Sequence, residues 1–350
     1  MGRETTDLPK STESILAAAV DLRVHLMNDA KNRFLTLLKS QRHYPIIIAH
    51  RGDCFGAPEN TLEAARLAWK AGADAWEFDV QLTRDGVPIL LHDESLLRTT
   101  DVASRFHDDP RAKDGFRASD FDFSEVRALD AASWYVAPDG GARSARAFGT
   151  LDRLTTESVA LYRSGQIRIP TLEEALCLTK ELDWLVNVEI KSFPESPPGL
   201  VEQVLEVIAQ TGTAPRVLVS SFDHADVAAA VRPDREHALG ILTMTPHYRT
   251  AEYATGLVGA DSVHVSTEVL GSESVAYRRE HGALALRMSL INEVKEHAVP
   301  ILVYTVNAHG DGSLADNLAE IGVDGLFTDD PGGLKQYFER TRTSPHGGPR

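Results

Sequence analysis

Short, mainly apolar runs alternate with longer stretches of helical period through most of this chain. The runs are Pro45–His50, Ala75–Val80, Val87–His92, Trp184–Ile190, Val217–Ser221, Ala238–Leu242, Ser262–Val265, Pro300–Thr305 and Gly325–Thr328. Each has the length of a strand, and the helical stretches between them predict βα units around a parallel sheet. One spacing differs. Only Gln81–Gly86 separates the second run from the third, too few residues for a parallel crossover, and Asp85-Gly86 is a strong hairpin signal. The third run is therefore predicted to return antiparallel. Eight parallel strands remain, and eight βα units predict an α/β fold of the TIM (β/α)₈ barrel class.

Two of the helical stretches carry start signals. Asn60-Thr61-Leu62-Glu63 and Thr171-Leu172-Glu173-Glu174 both have the spacing of a capping box ahead of an amphipathic run. Ahead of the barrel, Ile15, Leu16, Ala19, Leu22, Leu26, Met27, Phe34 and Leu38 recur near a 3.6 period, which predicts a helix over Ser14–Ser40. It is expected to pack on the outside of the body or on a second subunit, making it the expected route to a homo-oligomer. The division expected is an N-terminal arm and helix at 1–44, a barrel at 45–338 and a disordered tail at 339–350, rich in Pro and Gly at its end. The barrel is interrupted after its second strand by Arg98–Arg168. These 71 residues are too many for a βα loop, and they set Phe106, Phe116, Phe121, Phe123, Trp134, Tyr135 and Phe148 among many Asp. They read as an inserted subdomain forming a lid or wall.

Composition adds limits. At 350 residues, length alone fits either two domains or one barrel with insertions. With 43% hydrophobic and 25% charged residues the chain is an ordinary globular one. Its net charge of −15 argues against nucleic acid or an anionic bilayer as partner, since both reward clustered Lys and Arg. Two distant cysteines, Cys54 and Cys177, imply no disulfide framework. No signal-peptide pattern and no apolar segment of spanning length is present, so no membrane insertion and a cytoplasmic location are expected. Met1-Gly2 with Thr6 fits the short N-myristoylation pattern, which also arises often by chance.

The strand ends hold the chemistry, because the C-terminal face of such a barrel carries the active site. The first strand ends in His50-Arg51-Gly52. The second carries Glu77-Phe78-Asp79, two carboxylates on one side of a strand. The return run ends in His92-Asp93, and the next parallel strand ends in Glu189-Ile190-Lys191. Singly, each is weak: a His after an apolar run is more often structural, and Glu-x-Asp is more often a solvated face. Together they terminate strands that otherwise read as buried. Three carboxylates aimed at one axis repel one another unless a cation joins them, and Mg²⁺ or Ca²⁺ suits an all-oxygen set. A metal beside Arg51, Lys191 and two imidazoles points to phosphoester chemistry with His50 and His92 as an acid–base pair. Tyr304 and Asn307, at a later strand end, are substrate-contact candidates. Cys54 reads as a loop filler. His247, His281 and His297 read as structural or surface residues, and His264 either packs in its strand or lines the pocket.

His50-Arg51-Gly52 followed by Pro58-Glu59-Asn60-Thr61 resembles the opening signature of the glycerophosphodiester phosphodiesterases. The similarity continues in order through Glu77-Phe78-Asp79-Val80, Thr83–Pro88, His92-Asp93, Leu97-Arg98-Thr99-Thr100, Leu129-Asp130 and Ser133-Trp134. It then runs through Ile169–Glu174, Glu189-Ile190-Lys191, Ser220–Asp223, Thr305-Val306-Asn307 and Gly322–Gly325. The resemblance implies a TIM barrel with an insertion after the second strand. It also implies Mg²⁺ or Ca²⁺ at Glu77, Asp79 and Glu189, His50 and His92 as general acid and base, and Arg51 and Lys191 near the phosphate. The activity implied is cleavage of a glycerophosphodiester to glycerol 3-phosphate and an alcohol. Tyr304 departs from the Trp usual before Thr-Val-Asn, and the Pro138–Ala147 run and the N-terminal helix lie outside the pattern. Two other readings stay in view: a related barrel acting on lysophospholipid, sphingolipid or sugar phosphodiesters, and an inactive barrel that only binds a phosphodiester.

Overall fold

The computed structural model describes residues 31–245, 247–270, 288–307 and 313–343. Nine strands form one sheet: β1 Ile46–His50, β2 Ala75–Leu82, β3 Pro88–Leu90, β4 Val186–Ile190, β5 Val217–Ser221, β6 Ala238–Thr243, β7 Ser262–Ser266, β8 Ile301–Tyr304 and β9 Gly325–Thr328. All but β3 are parallel, and β1 pairs with both β9 and β2, so the eight parallel strands close into the expected TIM barrel. β3 is antiparallel to β2, as the Asp85-Gly86 turn predicts. Val80 pairs with Leu90 on one side and Ile190 on the other, while Glu77 pairs with His50 and Asn187. β3 therefore continues the β1 edge of β2 above the barrel rim. That placement brings His92 back over the strand ends.

The two predicted capping boxes differ in outcome. At Thr171 both reciprocal bonds form, from Glu174 N–H to the Thr171 hydroxyl (3.1 Å) and from Thr171 N–H to the Glu174 carboxylate (2.9 Å). At the other, helix Leu62–Lys70 starts one residue later than the box predicts. Thr61 is its N-cap, accepting from Ala64 N–H at 3.2 Å. Asn60 is held at φ +56° with its amide turned to Asp79. The active site has taken the residue that the local pattern assigned to the helix.

Of the predicted Ser14–Ser40 helix, residues 14–30 lie outside the described residues. The part described corrects the packing expected. Asn32 is extended and caps the start of a short helix, Arg33–Leu38. Phe34, Leu35 and Leu38 are buried against Ile46, Ile48, Ala75, Leu185, Leu218, Ala238, Leu302 and Phe327, the apolar residues at the N-terminal end of the barrel. Inward-facing strand residues at that end would otherwise meet water, so the helix closes the floor rather than lying on the outer wall. Asn32 ties it down, with Nδ2 donating to the carbonyls of Val217 (3.0 Å) and Glu236 (2.8 Å). The tail is corrected as well: helix Pro331–Thr343 continues through 339–343, anchored by buried Phe338 stacking on Tyr44 at 5.1 Å. Residues 344–350, His281 and the Met1-Gly2 pattern lie outside the described residues.

The segment after β3 builds its own small cores. Phe116, Phe121, Val102, Val126 and Leu129 pack with Ile89 and Leu91, while Tyr135, Val136, Ala145 and Tyr162 pack with Ala57 and Ala64. Its aromatic residues thus hold it to the rim. Tyr135 and Tyr162 donate to the carbonyls of Cys54 (2.9 Å) and Gly56 (2.7 Å) in the loop after β1.

Candidate active site

Register places the acidic side chains. His50 pairs with Glu77 across β1–β2, and Asp79 pairs with Glu189 across β2–β4. Alternate positions on β2, Glu77 and Asp79, and the end of β4 therefore aim at the same point. Oxygens of Glu77, Asp79 and Glu189 lie within 4.8 Å of one another, and all three residues are buried. Glu77 Oε1 has no hydrogen-bond partner, while Asp79 Oδ1 and Glu189 Oε1 face only the Lys191 ammonium, without hydrogen-bond geometry. Buried oxygens are seldom left in this state. Burial first, and then Asp79 and Glu189, push the Glu77 carboxyl well above its usual range; burial raises Glu189 too. Burial would also raise Asp79, but Lys191 and Arg51 bring it well below. A hard divalent cation would fit among these three oxygens and remove the repulsion.

The turn after β1 is shaped for close approach. Arg51 (φ +58°) and Gly52 (φ +88°) are both left-handed, and a Cβ at Gly52 would come within 2.6 Å of Ala64 Cβ, so only glycine lets the turn meet helix Leu62–Lys70. Arg51 N–H donates to Glu77 Oε2 at 2.9 Å, and its guanidinium lies 2.8 Å from Glu59 and 3.2 Å from Asp79. Lys191 bridges Asp79 and Glu189.

Both histidines are held at Nδ1 by a carboxylate: His50 by Asp329 at 2.8 Å, His92 by Asp93 at 2.7 Å. Each is left with Nε2 for chemistry. Burial, with Arg51 and Arg143 nearby, lowers His50 to about 4 against the pull of Asp329. Burial would raise Asp93 and Asp329, but hydrogen bonds from the histidines and the neighbouring arginines hold both below the usual carboxylate range. Gln81, on the extension of β2, donates to the carbonyls of Leu91 (2.8 Å) and Asp93 (2.7 Å) and so pins the backbone on both sides of His92.

Sequence reasoning left Asp329, Glu59, Arg98 and Arg143 without roles. Glu59 and Arg98 lay within quoted motifs, and Arg143 within the Pro138–Ala147 run that departs from the pattern. Asp329 followed the last strand run with no signal of its own. Glu59 receives Arg51, Arg98 (2.7 Å) and Arg143 (2.7 Å), and although burial would raise its carboxyl these three bring it well below the usual range. Six carboxylates in the mouth, Glu59, Glu77, Asp79, Asp93, Glu189 and Asp329, meet four cations, Arg51, Arg98, Arg143 and Lys191. With every carboxylate ionised the cluster is two charges negative, which a divalent cation would balance.

The remaining candidates sort by position. Tyr304 is half-buried; its hydroxyl donates to the Thr243 carbonyl (2.9 Å) and its ring meets Phe222 edge-on at 5.8 Å. Asn307 faces Asp329: its Nδ2 donates to that carboxylate (2.9 Å), and its Oδ1 accepts from Asp329 N–H (2.8 Å). It stands behind His50. His264 is fully buried inside the barrel beside Ser262 and Phe327, away from the mouth, and burial lowers it to about 3. Cys54 donates to the His50 carbonyl at 3.1 Å, and burial pushes its thiol well up, as in a cysteine that packs a loop. A cavity of about 250 Å³ opens from His92 and Lys191 toward Phe193 and Phe222.

The closed parallel barrel carries this cluster at its C-terminal mouth, and the family and relatives of the chain make it a phosphoric diester hydrolase. The chain belongs to the glycerophosphoryl diester phosphodiesterase family, whose model matches residues 50–333. It is 31% identical over 287 residues to a glycerophosphodiester phosphodiesterase of Caldanaerobacter subterraneus, covering 82% of this chain and 94% of that one. It is 29% identical to a glycerophosphodiester phosphodiesterase of Bacillus altitudinis, covering 81% and 94%. Among solved structures, an Oleispira antarctica phosphodiesterase in complex with the product sn-glycerol-3-phosphate is 25% identical, with a TM-score of 0.62 over 85% of this chain and 97% of that one. A glycerophosphodiester phosphodiesterase from Agrobacterium tumefaciens, 20% identical, shares the fold at a TM-score of 0.56 over 83% and 99%. Among the described residues no helix is long and apolar enough to cross a membrane.

Proposed function

We propose that the chain hydrolyses water-soluble glycerophosphodiesters to glycerol 3-phosphate and an alcohol, with His50 and His92 as the acid–base pair and Mg²⁺ or Ca²⁺ held by Glu77, Asp79 and Glu189. The observation that carries this reading is a pair of histidines, each fixed at Nδ1 by an Asp, around carboxylates whose buried oxygens lack hydrogen-bond partners. A divalent cation held there would neutralise charge on the phosphate. Lys191 and Arg51 add positive charge beside it and hold the diester against the acidic rim. One imidazole withdraws a proton at Nε2 from the neighbouring glycerol hydroxyl, whose oxygen bonds to phosphorus as the bond to the alcohol breaks. The other protonates the leaving alcohol oxygen, and water then opens the cyclic phosphate to glycerol 3-phosphate. Phe193 and Phe222 wall the cavity beside His92 and Lys191, where the alcohol is accommodated, and Tyr304 backs Phe222 edge-on. Apart from Phe148, which packs on Phe55, the aromatic residues of the insertion pack into its own cores rather than into an acyl channel, which favours a soluble diester over a lysolipid.

The test is release of glycerol 3-phosphate from glycerophosphocholine and glycerophosphoethanolamine with each metal, beside a lysolipid control. His50→Ala and His92→Ala are each expected to lower kcat by on the order of 10²–10⁴-fold, and EDTA to abolish turnover reversibly. Full activity in EDTA, or in either variant, would sink the mechanism.

A further inference from the structure

Behind the two histidines lies a matched pair of supports, both carried by the inserted segment. Asp93, which holds His92, is gripped by Arg98 at 2.6 and 2.9 Å. Asp329, which holds His50, is gripped by Arg143 at 2.6 Å. Each guanidinium lies over a ring of the insertion, Arg98 above Trp134 (5.8 Å) and Arg143 above Phe148 (5.4 Å). Both then converge on one buried carboxylate. Glu59 Oε1 takes Arg98 at 2.7 Å, and Glu59 Oε2 takes Arg98 at 3.1 Å and Arg143 at 2.7 Å. Arg143 also sits at φ +65° in a tight loop, two residues after Gly141 at φ +69°, so its backbone is held in an uncommon conformation while its side chain reaches the barrel axis.

We propose that Arg143 is a positioning residue for the reaction, acting through Asp329 on His50, and that Glu59 locks it to the matching Arg98–Asp93–His92 arm so that the two imidazoles keep one mutual geometry. The insertion thereby completes the acid–base pair rather than merely covering it. A planar guanidinium is needed because it grips two carboxylates at once, Glu59 through Nε and Asp329 through Nη2, which an ammonium on a flexible stem cannot do in the same geometry. This inference rests on the reading of His50 and His92 as the acid–base pair.

The experiment is a double-mutant cycle on the full chain with a soluble glycerophosphodiester, using Arg143→Ala, Asp329→Asn and both together. Removal of such a support is expected to lower kcat by about 10- to 100-fold while KM stays within about twofold. Added guanidine is expected to restore part of the activity of Arg143→Ala, and none of His50→Ala. The second substitution is expected to add little once the first is made, since both act along one chain of contacts. Unchanged kcat in Arg143→Ala, a loss carried by KM, or fully additive effects would each overturn the proposal. Should Arg143→Ala fold poorly, Arg143→Lys is read in the same cycle against the same outcomes. A wild-type chain inactive on diesters refutes the functional reading itself, whereas an active wild type indifferent to Arg143 refutes only this inference.

Discussion

The two ends of this barrel are made from the same strands and solve opposite problems. At the N-terminal end the inward residues are apolar, and a six-residue helix seals them with Phe34, Leu35 and Leu38. At the C-terminal end the inward residues are Glu77, Asp79 and Glu189, buried as deeply but charged, and no apolar plug could serve them. The floor lowers free energy by excluding water, roughly 1.5–3 kcal/mol for each large side chain buried. The mouth holds like charges in a medium of low dielectric and relies on cations to balance them. Stability is thus concentrated at the floor and function at the mouth.

Three changes sharpen or break that contrast, taken from the largest effect down. Glu77→Gln keeps the shape of the site and an oxygen for Arg51 N–H but removes one charge. It is expected to lower kcat by about 10³-fold or more, on the order of 4 kcal/mol in barrier, while the melting temperature of the metal-free protein stays level or rises. A metal-free variant that melts well below wild type would show the mouth to be a source of stability. Phe34→Ala should do the reverse. A truncated buried Phe costs about 3–5 kcal/mol, read as a fall in urea midpoint, with KM and kcat of the surviving folded protein unchanged. Altered kinetics there would mean that the two ends are coupled.

The smallest effect concerns Asp53, beside the β1 turn, which burial and the neighbouring Asp330 raise to about 6. Because the folded carboxyl holds its proton more tightly than the unfolded one, stability falls as pH rises from about 4 to about 6 and stays lower above that. Asp53→Asn keeps the acceptor for Gly56 N–H. It is expected to flatten this fall and leave the protein more stable than wild type at pH 7. Equal stability of the two at pH 7, with parallel profiles below it, would show that Asp53 carries no such penalty.

Much of the fold was legible because strand period and hairpin chemistry are local. All nine runs became strands, and Asp85-Gly86 correctly turned one of them antiparallel. The residues at the strand ends were legible for the same reason: polar groups that end apolar strands have one place to go. Errors came where a local signal competes with a distant one. Asn60 had a cap to form but went to Asp79 nineteen residues away. Asn32, within a run of helical period, is extended instead and gives its amide to three barrel-floor carbonyls.

By itself, then, the amino-acid sequence determined the βα rhythm, the closed barrel and the chemical identity of the groups at its mouth. Only the tertiary structure decided who holds them. Asp329 and Asn307, at the end of the chain, and Arg143, in the irregular run of the insertion, meet behind His50 through contacts spanning 22 to 186 residues. No period or motif encodes such a meeting, because hydrogen bonds between distant side chains depend on where the closed barrel brings its loops together.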